Sequence, residues 1–382
     1  MPPAITYVLG TYPCPSETFI AREIAALRRR GWALDVVSLQ GAAALTAPTN
    51  QDKPCPIGAL AVAALRQTLP LFFHLPRLPL QLLRHLPQAA ALIQRVRASG
   101  TTGIHAHFAH LPADVALLAA RQTHTRFTCS VHAWDVFAQP VAVLRRRLLP
   151  AMAICACSQA AVNRVLAAGI PATRTHLIRH GIPLAEYPFS AAPREGRQIL
   201  AVGRLESKKG FDLLLAACAQ LPPRSFTCQI IGEGAQRRQL EQLIAAYNLQ
   251  GAVTLPGGAT PETIRRAMQA ATVLVLPSRR LASGDQDGVA NVLLEAMALG
   301  TPVITTTASA AGEVIQDGRN GCLVPADQPN ALAAAIRELL DTPPQERAAR
   351  AQTARTTVAA AFDEEQTIAR LESILHGTEE GN

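Results

Sequence analysis

Short apolar runs that end near glycine alternate with amphipathic stretches along much of the chain. The first apolar run covers residues 5–9, an amphipathic stretch covers 19–30, and a second apolar run covers 34–39. Runs of this length predict buried strands, and apolar residues at helical spacing predict a helix between them. Strand, loop, helix and strand in this order indicate a parallel α/β sheet, with ligands expected near the loop after the first strand.

A small and polar linker at residues 190–196 separates this pattern from a second one that begins at residue 199. A length of 382 residues is sufficient for two domains with separate cores. We therefore predict one domain at 1–190, a second at 191–352, and a C-terminal helix at 353–382 that returns to the first domain.

The stretch from Gly284 to Gly300 combines a polar, glycine-containing loop with an apolar helix pattern. Glu295 lies within that pattern, where a carboxylate is costly to bury without a partner. Asp287 is expected at the helix start, about 12 Å from Glu295 along the axis. The N–H groups and the positive dipole end between the two acids suit a diphosphate. Alternatively, Asp287 is an N-cap and Glu295 an ordinary surface residue.

A second candidate phosphate site lies in the loop from Gly203 to Gly210, between a predicted strand at 199–202 and a predicted helix at 211–220. Arg204 and Lys209 in this loop supply a guanidinium and an ammonium, which together make a sound clamp for phosphate. No GxGxxG motif follows the first strand, which counts against a dinucleotide oxidoreductase.

The net charge of +8 indicates an anionic partner. Residues 53–113 contain no Asp or Glu and are rich in Leu, Pro and Arg, which favours shallow insertion into an anionic membrane surface, with 145–147 as a possible extension. The alternatives are a loosely packed helical pair with wet arginines, and a solvated helix face at 145–147. Nucleic acid is a weaker candidate because stacking aromatics are not interleaved with the charges. The arginines of the segment are Arg66, Arg77, Arg84, Arg95 and Arg97.

Three histidines, His105, His107 and His110, follow one another closely. No Cys or carboxylate completes a ligand set at this spacing, so a strand-end loop is favoured over a metal site. His132 ends a predicted strand at 127–132, where site residues are common, although alone it is more typical of a structural histidine.

The eight cysteines include no CxxC pair, which favours reduced thiols in a cytoplasmic protein. The N-terminus lacks the basic and apolar regions of a signal peptide, and no apolar run reaches 18 residues. No membrane span is therefore expected.

Six short motifs lie at 13–19, 105–108, 202–210, 231–234, 293–303 and 317–321. Together they resemble those of the family-4 glycosyltransferases, which have the GT-B fold. The four in the second half are specific as a set, and the two in the first half resemble a subgroup that builds bacterial exopolysaccharides, including colanic-acid-type enzymes.

The resemblance implies an α/β protein of two Rossmann-like, doubly wound parallel-sheet domains that face each other across a cleft. Residues 1–190 would be the acceptor-side domain and 191–352 the nucleotide-sugar-binding domain. Arg204 and Lys209 would hold the donor diphosphate, and Glu295 would bind the ribose hydroxyls. The remaining donor-site residues would be Gly203, Gly234, Gly288, Val289, Ala290 and Asn291.

His132 matches the histidine of the family's N-domain loop and would lie beside the donor sugar, which Asp287 would also face. The loop at 10–16 would lie near the phosphates and the acceptor. Asp287 is one methylene shorter than the usual Glu, and the segment before Glu313 also departs from the family pattern, so neither residue identifies the donor sugar.

The resemblance implies a retaining, metal-independent hexosyl- or other glycosyltransferase that uses no cofactor. It would move a sugar from a UDP- or GDP-sugar to a lipid-linked or oligosaccharide acceptor at the inner face of the cell membrane. The alternatives are a nucleotide-sugar 2-epimerase of the same fold and a non-catalytic sugar-nucleotide-binding protein.

Overall fold

The computed structural model describes residues 4–14, 17–40, 55–56, 85–190, 192 and 194–377. The chain forms two compact units: Met1–Ile178 together with Thr367–Asn382, and Arg179–Gln366. The first boundary between the units lies between Ile178 and Arg179, before the polar linker at 190–196 that was predicted as the domain boundary. Ile182 and Tyr187, which precede that linker, are buried in the core of the second unit. Burial of these side chains, rather than the composition of the linker, therefore sets the division.

The first unit contains a parallel sheet in the order β3-β2-β1-β4-β5-β6-β7. Val8 of β1 lies in one core and Tyr7 in the other, because successive side chains of a strand point to opposite faces. Both faces of this sheet are therefore covered. The strands are β1 Ala4–Thr11, β2 Ala33–Gln40, β3 Cys55–Pro56, β4 Gly103–His107, β5 Arg126–Val131, β6 Ala153–Ala156 and β7 Thr175–Leu177.

Helices connect these strands. The histidine segment departs from the predicted strand-end loop, since His105 and His107 lie inside β4, and His110 is the N-cap of the helix that follows. The helices of the first unit are α1 Thr18–Arg29, α2 Leu86–Ser99, α3 Leu111–Thr123, α4 Ala133–Phe137, α5 Val141–Leu148 and α6 Gln159–Ala167.

The second unit repeats the scheme with a parallel sheet in the order β10-β9-β8-β11-β12-β13. The prediction of two parallel α/β sheets is therefore confirmed. The strands are β8 Gln198–Val202, β9 Thr227–Ile231, β10 Val253–Gly257, β11 Val273–Leu276, β12 Val303–Thr306 and β13 Cys322–Val324. The helices are α7 Phe211–Cys218, α8 Arg237–Ala246, α9 Pro261–Ala270, α10 Asn291–Leu299, α11 Pro329–Asp341 and α12 Pro344–Ala361.

The C-terminal helix predicted at 353–382 is not continuous, because the chain forms the end of α12 and then a separate helix, α13 Glu364–His376. The two helices are separated at Asp363, which forms an isolated β-bridge with Ile182. Residues from Thr367 onward belong to the first unit, where Glu372 accepts hydrogen bonds from Arg30 Nε and Trp32 Nε1, both at 2.7 Å.

Most of the acid-free segment, including Arg66, Arg77 and Arg84, lies outside the described residues. Arg95 donates two hydrogen bonds to Asp35, at 2.6 and 2.5 Å. Arg147 forms an ion pair with Asp114 at 2.7 Å and is largely buried. These two arginines therefore stabilise the first unit, and Arg147 is part of neither a cationic patch nor a solvated helix face. Among the described residues, no helix combines the length and apolar character needed to cross a membrane.

Candidate functional site

Each sheet has a point at which the order of its strands reverses. In the second unit β8 is paired with β9 on one side and with β11 on the other. In the first unit β1 lies between β2 and β4. Open α/β sheets bind ligands beyond the carboxyl ends of the strands at such a point. Both points carry clusters of titratable side chains.

The first cluster, here called the lysine site, comprises Lys208, Lys209, Ser278, Asp285 and Asp287. Lys209 lies in the loop after β8, and its Nζ donates to Asp287 Oδ1 and Oδ2 at 3.0 and 2.8 Å. Asp287 lies in the loop after β11, so this ion pair crosses the switch point. Lys208 forms a second ion pair, with Asp285, at 3.2 Å.

The carboxylate of Asp287 is almost completely enclosed, with 7% of the residue exposed. Burial alone would raise the pKa of Asp287, but the charge and hydrogen bond of Lys209, the charge of Lys208 and the Ser278 hydroxyl outweigh it and lower the pKa below its ordinary value. Ser278 Oγ donates to Asp287 Oδ2 at 2.8 Å. Asp287 is therefore ionised. Its partner is Lys209, which the resemblance assigns to the donor diphosphate.

Close backbone packing brings the two loops together. Gly210 has φ +67°, and a Cβ there would lie 2.0 Å from the Pro277 carbonyl oxygen. A side chain at this position would push the loop after β8 away from the loop after β11. A Cβ at Gly234 would likewise lie 2.5 Å from the Leu205 carbonyl oxygen. Gly234, one of the predicted site glycines, is therefore needed for the close approach of two backbone segments.

Arg204 is exposed and donates from Nη1 to Glu206 Oε1 at 2.6 Å. Gly203 precedes it, and the aliphatic part of Lys209 lies 3.7 Å from the position that a Gly203 Cβ would occupy. Arg204 and Lys209 thus occupy one short loop, as predicted, and each cation has a carboxylate partner.

The helix at this site begins later than predicted. α10 starts at Asn291 with Ala290 as its N-cap, and no side chain caps it. The placement of Asp287 at the helix start is therefore wrong, as is its alternative as an N-cap, and the axial estimate of about 12 Å to Glu295 does not apply. Asp287 is bound by Lys209 and Ser278, so the chain turns through Gly288 and Val289 before the helix begins.

Glu295 and Asn291 both lie on α10. Glu295 is half-buried. Asn291 Oδ1 lies 3.2 Å from Nδ1 of His180, which fixes the first turn of the helix.

The second cluster, here called the histidine site, lies beneath the carboxyl ends of β1, β4 and β5 in the first unit. It comprises Tyr7, Glu23, His105, His107 and His132. Tyr7 Oη donates to Glu23 Oε1 at 2.9 Å, Glu23 Oε1 lies 3.1 Å from His107 Nε2, and His107 Nδ1 lies 3.2 Å from His132 Nε2.

His132 begins the short helix α4 as its N-cap. Its side chain accepts from the backbone N–H of Asp135, and Asp135 Oδ1 accepts from the His132 N–H at 2.8 Å. Asp135 Oδ2 accepts from the Ala109 N–H at 2.5 Å. One carboxylate thus connects the loops after β4 and β5. Complete burial raises the pKa of Asp135 to about 7, although these backbone donors oppose the rise.

His105 Nδ1 lies 2.8 Å from Thr128 Oγ1, and its Nε2 lies 3.0 Å from Ser130 Oγ. Burial, with a smaller contribution from His107, lowers the pKa of His105 to about 3, so this ring is neutral. The ligand atoms of Glu23, His105 and His107 lie within 4.8 Å of one another. The three residues could approach a cation, but each ring nitrogen already faces a hydrogen-bond partner within the protein.

Sequence reasoning missed Glu23 and Asp135. The carboxylate that seemed absent from the histidine cluster comes from α1, more than eighty positions earlier in the chain. A signal was present, because Glu23 lies at helical spacing between the buried Ile20 and Leu27.

Curated relatives match about half of the chain. A putative colanic acid biosynthesis glycosyltransferase, WcaL of Salmonella typhimurium, is 32% identical over 180 residues, which are 46% of this chain and 44% of WcaL. The amylovoran biosynthesis glycosyltransferase AmsK of Erwinia amylovora is 34% identical over 181 residues, with the same coverage of 46% and 44%. The chain therefore spans about half the length of the curated relatives it matches.

Solved structures match nearly the whole chain. Anabaena Alr3699/HepE, solved with UDP and glucose, has a TM-score of 0.74 at 21% identity and covers 98% of this chain and 100% of its own. A sucrose-phosphate synthase from Thermosynechococcus elongatus has a TM-score of 0.79 at 22% identity, with coverage of 99% of both chains. These likenesses establish the GT-B fold.

Two family models divide the chain between them. The model described as Glycosyltransferase Family 4 matches residues 16–186, and the model described as Glycosyl transferases group 1 matches residues 186–357. The two models together cover residues 16–357, so the chain carries a Glycosyltransferase Family 4 domain followed by a Glycosyl transferases group 1 domain.

Proposed function

We propose that this protein transfers a sugar from a UDP- or GDP-sugar to a lipid-linked or oligosaccharide acceptor in exopolysaccharide-type biosynthesis, with retention of anomeric configuration. The ion pair between Lys209 and Asp287 carries the proposal. An ammonium group, which would suit a phosphate, lies beside a carboxylate, which would suit sugar hydroxyls, at the switch point of the second sheet.

Binding of the donor would exchange the partners of this ion pair. The diphosphate offers Lys209 a second anion, and Lys209 would move from Asp287 to the phosphate oxygens. Asp287, released from Lys209 and still bound by Ser278, would accept hydrogen bonds from the donor sugar. Arg204 would exchange Glu206 for phosphate in the same way.

The transfer step breaks the bond between the anomeric carbon and the diphosphate oxygen, and forms a bond from that carbon to the acceptor oxygen. Negative charge develops on the departing diphosphate, where Lys209, Arg204 and the N–H groups at the start of α10 would stabilise it. The acceptor's proton would pass to a phosphate oxygen on the same face of the sugar, which gives retention without a covalent intermediate.

Glu295 would bind the ribose hydroxyls. It lies on the second turn of α10, beyond the N-terminal N–H groups that would face the phosphates. The structurally similar protein Alr3699/HepE was solved in complex with UDP-glucose, and this supports a nucleotide-sugar as the donor class.

The donor is tested first by thermal shift with UDP-, GDP- and ADP-sugars. A ligand at 100 times its dissociation constant stabilises the folded state by about 2.7 kcal/mol. The stabilising donor is then incubated with lipid-linked and oligosaccharide acceptors, and the product is analysed by mass spectrometry and by the anomeric coupling constant in NMR. A product with inverted configuration would refute retention.

Incubation with the donor alone is the control for the alternative activity. Epimerisation of the nucleotide-sugar without acceptor would overturn the transferase proposal in favour of an epimerase. Absence of both reactions with every donor that binds would favour a binding protein.

We also propose that transfer needs no metal ion and occurs at the inner face of the cell membrane. Full activity in excess EDTA is the result expected for the first statement. For the second, the protein should sediment with anionic and not with neutral vesicles, and loss of Arg77 and Arg84, which lie outside the described residues, should weaken sedimentation. Equal binding to both vesicle types would refute it.

A further inference from the structure

We propose that Glu23 and His107 are positioning residues that hold the His132 ring neutral, protonated on Nε2 and turned into the first sheet. His132 then supports transfer through the loop that it begins, and not as an acid or base. This proposal deepens the proposed function and rests on it, but the state of the ring can be measured without any transfer activity.

The hydrogen bonds of the histidine site form one line. It runs from Tyr7 through Glu23 and His107 to His132, with successive separations of 2.9, 3.1 and 3.2 Å. The two imidazole rings at its end are nearly parallel, with 8° between their planes. His107 is fully buried and His132 is 7% exposed, so little water reaches either ring.

The cap of α4 decides where the protons lie. The His132 side chain accepts from the backbone N–H of Asp135. Because Nε2 faces His107, the accepting nitrogen is Nδ1, and it carries no proton. A neutral imidazole has one proton, so that proton is on Nε2 and is donated to His107 Nδ1. His107 is then protonated on Nε2 and donates to Glu23.

The opposite direction of donation is excluded. If His107 were doubly protonated and donated from Nδ1, His132 would accept on both of its nitrogens. It would then have no proton on either nitrogen and would be an imidazolate anion, which a buried and uncompensated site does not stabilise. The line therefore has one direction, and it ends on the carboxylate of Glu23.

The surrounding groups are consistent with this direction. Glu23 Oε1 accepts from Tyr7 Oη at 2.9 Å and lies 3.1 Å from His107 Nε2, and both hydrogen bonds favour the carboxylate form, so Glu23 is an acceptor. Burial and the nearby Glu23 raise the pKa of Tyr7 well above its ordinary value, so the phenol remains a donor. The other titratable groups beside the cluster are the neutral His105, Asp135, whose pKa burial raises to about 7, and the thiols of Cys155 and Cys157.

Aromatic rings hold the imidazole from the sides. The ring centroids of Phe19 and Phe108 lie 4.9 and 4.5 Å from that of His132. Rotation of the ring towards a substrate would break its bond to His107 and its cap on α4 together. The backbone of His132 is in turn bound by Asp135, which also binds Ala109. The orientation of the His132 ring and the positions of the loops after β4 and β5 therefore depend on each other.

The tautomer is tested by long-range ¹H–¹⁵N NMR of the histidine side chains, with the His132 signals assigned by a His132→Asn variant. We expect the Nε2-protonated tautomer at about pH 7. A doubly protonated ring, or one protonated on Nδ1, would overturn the proposal. Neither outcome bears on whether the protein is a transferase.

The effect on the reaction is tested with a graded pair at one position. His107→Phe removes the acceptor for His132, whereas His107→Asn can present an amide oxygen to it. We expect kcat to fall about tenfold to 100-fold in the first variant, with substantial recovery in the second, because small displacements near the reacting groups are costly. Nucleotide affinity, measured by calorimetry, should change less than about twofold in both.

Glu23→Gln separates charge from shape. The amide oxygen can still accept from Tyr7 and His107, so the Nε2-protonated state of His132 should persist and kcat should stay within about threefold of the wild-type value. If Glu23→Gln lowered kcat as much as His107→Phe while His132 kept its tautomer, Glu23 would act through its charge on the reaction, and the positioning role would be wrong. Equal kcat in wild type and His107→Phe would also contradict it.

Discussion

The switch points of the two sheets hold charge in opposite ways. At the lysine site two ammonium groups meet two carboxylates in separate ion pairs between neighbouring loops. At the histidine site a single carboxylate, Glu23, accepts from a phenol and lies 3.1 Å from Nε2 of His107, the first of two nearly parallel imidazole rings. The first arrangement can exchange partners when another anion arrives. The second is saturated by internal hydrogen bonds and has little to gain from a ligand.

This difference predicts different costs of mutation. At the lysine site a lost charge should lower donor binding and transfer. At the histidine site and the loops beside it a lost hydrogen bond should lower stability or disturb geometry, since buried polar groups without partners are costly. The following changes test that division, from the largest expected effect to the smallest.

Lys209→Met should lower kcat/KM for the donor about 1,000-fold, because it removes the charge that we propose stabilises the departing diphosphate. Initial rates at varied donor concentration measure the loss. Lys208→Met is the matched control: it removes the same charge one position earlier, where the partner is Asp285, and should cost far less. Equal losses in the two variants would show that only the net charge of the loop matters.

Arg147→Met should lower the free energy of unfolding by about 3 kcal/mol, since it leaves Asp114 buried without its guanidinium. The side chains of this pair are 12% and 4% exposed. Urea unfolding measures the change. Arg145→Met, on the same helix but exposed, should stay within about 0.5 kcal/mol of wild type. If Arg145→Met were as destabilising as Arg147→Met, burial of the ion pair would not be the cause.

Glu295→Gln should weaken nucleotide binding by about 2 kcal/mol, or roughly 30-fold, because a charged acceptor for the ribose hydroxyls becomes neutral at nearly constant shape. Calorimetry with UDP and GDP measures it. Glu262→Gln, on the neighbouring α9 and exposed, serves as the control and should bind as wild type does. Unchanged affinity in Glu295→Gln would remove this residue from the donor site.

Asp135 should make stability depend on pH. Its pKa is raised from 3.8 to about 7 in the folded protein, so its contribution to stability is complete below about pH 4 and is lost as the pH rises through about 7. The slope is at most about 1.4 kcal/mol per pH unit. Glu23 and Asp287 have lowered pKa values and act in the opposite sense, at more acidic pH.

Urea unfolding between about pH 5 and pH 8, for wild type and Asp135→Asn, measures this slope. The variant should lose the decline, whatever its absolute stability. Carboxyl ¹³C chemical shifts of the wild type give a second readout, with Asp135 titrating near neutral pH. Titration of Asp135 near its ordinary value would contradict the prediction.

Local pattern was sufficient for most of the fold. The strand-glycine-helix units of both sheets follow from apolar runs and glycine positions, and Arg204 and Lys209 follow from a basic loop between a strand and a helix. It was insufficient at the ends of elements. α10 begins three residues after Gly288 because Asp287 is bound elsewhere, and the C-terminal helix divides where Asp363 meets Ile182.

The sequence by itself determined the fold class and the match to glycosyltransferase families, and it predicted the donor-site residues, because each depends on residues close together in the chain. The pairing of those groups depended on the tertiary structure. Lys209 meets Asp287 because the order of strands places two distant loops at one edge of a sheet. Glu23 meets His107 because α1 packs on a face of the sheet that contains β4. Burial then makes these contacts necessary, since a polar group removed from water must take the partner that the fold supplies.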